Sequence, residues 1–178
     1  MFSVLSMDAE MGRRGMPNAE ITLLIDTNVW IDYFSPWRQG HELACTLFAA
    51  SVERGIDLLF AVPSSKDVYY QVQAGYKLLA KRGEGVLTEE KAVAARETAW
   101  GCVRWMGEIA NPVGCDMSDV WLAQKHKTIH ADYEDDLVIA AAIRSKATQL
   151  VTNDRPLIIH APVSALSVED ALAYVETL

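Results

Sequence analysis

Four aspartates stand where carboxylates could do chemistry together. Asp26 closes the aliphatic run of LLIDTNVWIDYF (23–34), Asp67 lies in PSSKDVYYQV (63–72), Asp135 in DYEDDLVIAAAIRSKA (132–147), and Asp154 ends QLVTND (149–154). Brought within a few ångströms in a low-dielectric cleft, such groups repel and require a cation. Ligation by oxygen alone suits a hard ion, Mg²⁺ or Mn²⁺, which keeps several waters and binds phosphate. Bound there, such an ion lowers the pKa of a coordinated water and steadies charge developing on a phosphodiester. The four histidines, at 41, 126, 130 and 160, form no HExxH or other zinc pattern.

Each acid also has a purely structural reading. Asp and Asn favour turns at strand ends, where their side chains satisfy loose backbone donors, and this covers Asp26 and Asp154. Ser64-Ser65-Lys66-Asp67 and Asp132-Tyr133-Glu134-Asp135 both fit a helix N-terminus with an acid in the first turn. Ser167-Val168-Glu169-Asp170 has the same form and is assigned to capping alone. Asp32 reads as a surface residue and Glu42 as a solvated helix residue.

Positioning such acids requires a sheet. ITLLID (21–26), IDLLFAV (56–62), QLVTND (149–154) and PVSAL (162–166) read as strands, with a short one at NPVGC (111–115). Between them, GHELACTLFAASVERG, KDVYYQVQAGYKLLAKRG, KAVAARETAWGCVRWMGEIA, SDVWLAQKH and EDDLVIAAAIRSKA read as helices. Aliphatic strands alternating with helices imply an α/β class, a three-layer α/β/α sandwich around a mainly parallel sheet. Ligands of such sheets collect at the carboxyl ends of the strands, where Asp26 and Asp154 fall. Residues 1–19 read as a flexible lead and 20–178 as one domain. Trp100, Trp105 and Trp121 read as core or lid packing in preference to a base-stacking platform.

Composition narrows the function classes. A net charge of -8 over 178 residues excludes a basic coat that grips nucleic acid through many phosphates at once. A nucleic-acid partner must be held locally, by a few Lys and Arg or through a metal. Cys45, Cys102 and Cys115, odd in number and widely spaced, read as small buried hydrophobes in a reducing cytoplasm. No apolar run approaches the roughly 18 residues of a membrane span, and no signal-peptide core is present, so a cytoplasmic protein is expected.

LLIDTNVWIDYF, PSSKDVYYQV and DYEDDLVIAAAIRSKATQLVTND together resemble the three motif blocks of the PIN-domain ribonucleases, which include the VapC toxins of bacterial toxin-antitoxin pairs. The resemblance spans roughly residues 21–166. It implies that Asp26, Asp67, Asp135 and Asp154 bind metal while Asn28 and Thr152 support the site by hydrogen bonds. It also implies a homodimer and a small antitoxin partner whose tail covers the cleft. Two departures stand out. Many members carry Glu where this chain has Asp67, and the doublet Asp135-Asp136 leaves two candidates for the third acid. Asp135 fits a D-F-E-D form of the block and shares a helical face with Val138, Ile139 and Ala142, whereas the spacing of Asp136 from Asp154 is that of shorter members.

The expected activity is Mg²⁺- or Mn²⁺-dependent endoribonucleolysis, in which an activated water attacks a phosphodiester in line and leaves a 5′-phosphate. Single-stranded or loop RNA is the expected substrate, because its backbone can enter a crevice closed to a stiff duplex. Lys66, His130, Arg144, Lys146 and Arg155 flank the motif blocks as candidate phosphate contacts. Two alternatives stand beside this reading. One is a catalytically weak interaction module. The other is a haloacid-dehalogenase-like phosphatase, whose D-x-D start Asp26-Thr27-Asn28 nearly matches, although Asn28 cannot act as the general acid.

Overall fold

Leu23, Leu24 and Ile25 are wholly excluded from solvent, and a strand apolar on both faces needs cover on both sides. The computed structural model describes residues 21–127 and 132–178, and there these three residues sit in β1 (Thr22–Ile25), the middle strand of five. The chain continues through α1 (Thr27–Phe34) and α2 (His41–Glu53) to β2 (Asp57–Ala61), then α3 (Val62–Glu84) and α4 (Glu89–Ile109) to β3 (Asn111–Val113). It returns by α5 (Met117–His126) and α6 (Tyr133–Ser145) to β4 (Gln149–Val151), and ends in α7 (Arg155–His160), β5 (Ala165–Leu166) and α8 (Val168–Glu176). The strands lie in the order β3-β2-β1-β4-β5, every neighbouring pair parallel.

The mainly parallel sheet expected from the sequence is thus parallel at every described pairing. The strands are shorter than the runs read from the sequence, because the ends of those runs leave the ladder to cap or open helices. β1 stops before Asp26, β2 before Val62 and β4 before Thr152. The expected lead at 1–19 lies outside the described residues.

Alternation along the strands divides the core. Leu23, Ile25, Leu58, Phe60 and Val151 face one side with Val29, Trp30, Phe48, Val68 and Val72. Leu24, Ala61 and Leu150 face the other, against Val138, Ile139, Ala142 and Leu157 from α6 and α7. Trp30 anchors the first side. It is completely buried, with its ring 4.7 Å from Phe48 and 6.1 Å from Phe60, both edge-on, and 5.9 Å from Phe34 in a stack.

Among the described residues no helix is long and apolar enough to cross a membrane. Trp30→Ala should lower the unfolding free energy by about 3–5 kcal/mol in urea denaturation, because a large cavity would remain between β2 and α2. Trp30→Phe should cost much less, since it keeps an aromatic ring and discards an indole N–H that finds no hydrogen-bond acceptor.

Candidate active site

The strand order reverses direction at β1. From β1 the chain builds outward through β2 to β3, and the later strands β4 and β5 fill the opposite side. In open parallel sheets such a switch point leaves a crevice beyond the carboxyl ends of the two central strands. The residues that follow β1 and β4 are Asp26 and Thr152.

Asp26 is 1% exposed and acts as the N-cap of α1. Its Oδ1 accepts from the Thr27 backbone N–H at 2.6 Å, and its Oδ2 accepts from the Asn28 amide and the Thr152 hydroxyl, each at 2.6 Å. The Thr152 hydroxyl donates its one proton to Asp26 and accepts from Asn28 Nδ2 at 3.1 Å and from the Asp154 backbone N–H at 3.0 Å. That arrangement uses its full donor and acceptor capacity. All three donors to Asp26 are neutral, so none cancels its charge. Burial, and then the charges of Asp154 and Asp132, push its pKa up to about 6 against the pull of the hydrogen bonds from Thr152 and Thr27.

A cavity of about 160 Å³ opens beside Asp26, and Asp67, Glu134 and Asp135 line it together with Asn28 and Gln71. Lys66 Nζ stands 3.0 Å from Asp67 and 3.7 Å from Glu134, tying α3 to the start of α6. The Asp67 carboxylate, by hydrogen bond and by charge, raises the Lys66 pKa. Burial raises that of Glu134, and the Asp67 charge adds to the rise while Lys66 opposes it. Asp154 caps α7, its Oδ1 accepting from Leu157 N–H at 2.9 Å, and it reaches Asp26 through its charge and through the shared Thr152 hydroxyl. Of the third-acid pair, Asp135 faces the cavity, whereas Asp136 is 2% exposed and is not among the residues lining it.

Asp67 does not cap a helix as its sequence pattern suggested. Pro63, with its fixed φ and missing N–H, starts α3 at Val62, so Asp67 lies in the second turn and its side chain is left to the cavity. Ser64, offered as the cap, instead accepts from the Thr27 hydroxyl at 2.8 Å. Asp132 does cap α6, accepting from Glu134 N–H at 2.8 Å. Ser167 caps α8 through Asp170 N–H at 3.0 Å.

Asp32 departs furthest from its sequence reading. Instead of a surface residue it is a buried carboxylate, 5% exposed, paired with Arg38 Nε and accepting from Asn153 Nδ2 at 3.0 Å. Asn153 in turn gives its backbone N–H to Asn28 Oδ1 at 3.2 Å, which links Asp32 to the Asp26 network. A Cβ on Gly40 would collide with the Asp32 carboxylate, so this glycine makes room for the pair. Asp32 and Asn28 are one helical turn apart on α1, the single sequence signal that could have joined them.

The candidate phosphate contacts separate. Lys66 stands at the acids, and Arg155 is exposed next to Asp154. Arg144 and Lys146 lie at the opposite end of α6, three turns from Asp135, where Arg144 pairs with Asp116 and Asp119 and Lys146 closes the helix at φ 54°. His130 lies outside the described residues. Trp100, Trp105 and Trp121 are not core: they are 57%, 44% and 63% exposed. Cys45 and Cys102 are half-buried and Cys115 is exposed, so the expectation of three buried thiols holds for none of them fully.

Among the described residues no group of three or more His, Cys, Asp or Glu side chains is placed to hold a metal ion. The donor chemistry nevertheless fits a hard divalent cation. Buried Asp26 has only neutral partners, and three further carboxylates share its cavity, an accumulation of oxygen donors that a single Lys66 only partly offsets.

A family model described as PIN domain matches residues 22–156. No curated protein matches the chain. Solved structures do match in fold. One is VapBC2 from Rickettsia felis bound to a DNA fragment from their promoter, with a TM-score of 0.55, 12% identity, and coverage of 83% of this chain and 98% of that one. Another is FitAB bound to an IR36 DNA fragment, with a TM-score of 0.53, 15% identity, and coverage of 82% and 94%.

Two predictions follow from the Asp26 network. Its pKa is higher in the folded than in the unfolded chain, so the folded metal-free protein holds this proton more tightly. The stabilisation is complete below about pH 4 and is lost as pH rises through about 6, amounting to roughly 3 kcal/mol. Asp26→Asn should remove that decline, seen as a flatter urea midpoint between pH 4.5 and 7 than in the wild type; parallel slopes would contradict the assignment. Separately, Thr152→Val should cost about 1–3 kcal/mol and drive the Asp26 pKa higher, and Thr152→Ser should restore both. Thermal melts and carboxyl NMR titration read the two effects.

Proposed function

The chain belongs to the PIN-domain family, and from that membership we propose that it is a metal-dependent endoribonuclease, the toxin of a toxin-antitoxin pair. The observation that carries the reading is the buried Asp26 carboxylate opening onto one cavity with Asp67, Glu134 and Asp135 at the switch point of the sheet. In this reading Asp26, Asp67, Asp135 and Asp154 hold Mg²⁺ or Mn²⁺, with Asp136 the alternative third acid. When bound, such an ion supplies an activated water and neutralises charge on the phosphodiester.

The protein's own groups do the rest. Asn28 and Thr152 lock the Asp26 carboxylate in one orientation, so its lone pairs need not reorganise when substrate arrives. Lys66, held beside Asp67 and Glu134, offers an ammonium to an entering phosphate, and Arg155 offers a second cation beside Asp154. Arg144 is left out of this role because it lies at the far end of α6 from the acid cavity, paired with Asp116 and Asp119. No side chain here is asked to act as nucleophile.

Exposed single-stranded RNA is the substrate class, and the cytoplasm the compartment. The fold shared with VapBC2 and FitAB supports a second-chain partner, read here as a small antitoxin covering the acidic cavity; a homodimeric nuclease is part of the same reading and rests on the family resemblance alone. The phosphatase alternative has no remaining support. Asn28 is spent as a hydrogen-bond donor to Asp26, and the whole motif region belongs to another family.

Titration with Mn²⁺ or Mg²⁺ should raise the melting temperature, because an ion bound only by the folded state must stabilise it. Asp26→Ala should abolish that response and cut cleavage of single-stranded RNA by roughly a hundredfold or more. Equal cleavage by both proteins, with no thermal response to either ion, would leave only the non-catalytic interaction module.

A further inference from the structure

One turn along α3 from the acids, the surface changes character. A cavity of about 330 Å³ is lined by Tyr69, Tyr70 and Trp100, with Lys66, Ser65 and Val103 at its edges. Tyr70 is 61% and Trp100 57% exposed, so two large aromatic side chains of this cavity face solvent. Half-buried Tyr69 joins them. Its ring centroid is 5.1 Å from that of Tyr70, edge-on, and 5.0 Å from that of Trp100, tilted by 56°. Gln73 donates to the Tyr69 hydroxyl at 3.3 Å, which fixes the middle ring from behind.

We propose that Tyr69, Tyr70 and Trp100 form a stacking platform for a nucleobase of the single-stranded RNA whose backbone enters the acid cavity. The proposal rests on the ribonuclease reading above and extends it to how the substrate is held. Lys66 is the physical link: it borders the aromatic cavity, and it also lines a narrow cavity of about 90 Å³ shared with Asp67 and Glu134. A strand crossing from one cavity to the other keeps a phosphate near the Lys66 ammonium while its base turns onto the rings.

Spacing agrees. Asp67 and Tyr70 are three residues apart on α3, about 4.5 Å along the axis, so the platform begins roughly one nucleotide from the acids. Arg104, exposed and one turn beyond Trp100 on α4, adds a cation on the same helical face.

Charge explains why stacking is needed. A chain of net charge -8 gains little from long-range attraction to phosphates, whereas the face of a base is neutral and stacks on aromatic rings whatever the base. A second copy of the chain or a partner helix is a poorer fit, because such interfaces bury about 800 Å² per partner and this aromatic cavity is small and bordered by charge. Exposed Leu78 and Leu79 lie two turns or more further along α3 and are not part of it.

The test measures cleavage of a single-stranded oligoribonucleotide with Mn²⁺, and of the same oligonucleotide carrying one abasic position walked along its length. In the wild type, an abasic site one or two nucleotides from the cleaved bond should lower kcat/KM roughly tenfold, mainly through KM. Trp100→Ala should lose a similar factor on the intact substrate and almost nothing more on the abasic one, the signature of two changes that delete one contact. Trp100→Phe should recover most of the loss and guards against a folding defect, and Tyr70→Ala provides a second, independent probe. If Trp100→Ala cleaves like the wild type, or its penalty multiplies with the abasic penalty, the platform is wrong while the ribonuclease stands. If Trp100→Ala instead shifts self-association in sedimentation and leaves RNA cleavage unchanged, the rings serve a protein interface and the proposal is overturned. If the wild type cleaves no RNA with either ion, the ribonuclease reading fails and takes the platform with it.

Discussion

A carboxylate held out of water at the end of the central strand is the constraint around which this molecule is organised. Asp26 is buried because Leu23, Leu24 and Ile25 carry β1 through the middle of the sheet and leave the next residue at its edge, under cover. Burying a charge without a cation is costly, and the fold limits that cost with three short hydrogen bonds from neutral donors. Each donor also does structural work. Thr27 starts α1, Asn28 holds the loop after β4 through Asn153, and Thr152 joins the ends of β1 and β4. The same bonds therefore close the fold and orient the site.

Electrostatics then accumulates along that edge. Parallel strands deliver their carboxyl ends to one side, and α6 begins on the same side, so Asp67, Asp132, Glu134, Asp135 and Asp154 arrive near Asp26 from three separate segments. Lys66 neutralises only the pair closest to it. A divalent cation bound among these acids would relieve the crowding and thereby add to the stability of the folded state. A second buried carboxylate, Asp32, avoids the problem with a partner of its own, Arg38. The contrast separates an acid kept for structure from one left without a cationic partner.

Much of this was legible in the chain. β1 and β4 could be read from continuous aliphatic runs, and the acids of the motif blocks from their place at strand ends and helix starts. Where the reading failed, a long-range contact decided the matter. Asp67 looks like a capping residue until Pro63 is seen to start α3 early. Asp32 looks solvated because nothing local announces Arg38, six residues on, or Asn153, which comes from the far side of the chain. Trp100 looks like core by composition, and its position on the outer face of α4 beside Tyr69 emerges only from how α3 and α4 pack.

By itself the sequence determined the layered α/β class and the exclusion of a broadly basic nucleic-acid surface, because these depend on local hydrophobic pattern, residue type and net charge. Tertiary structure alone decided which acids share a cavity, that Asp135 rather than Asp136 faces it, and that Asp26 carries a raised pKa. It also decided that Trp100 on α4 lines one cavity with Lys66, Tyr69 and Tyr70 of α3. Those properties depend on burial and on distances between segments that are remote in sequence, and no spacing along the chain encodes either one.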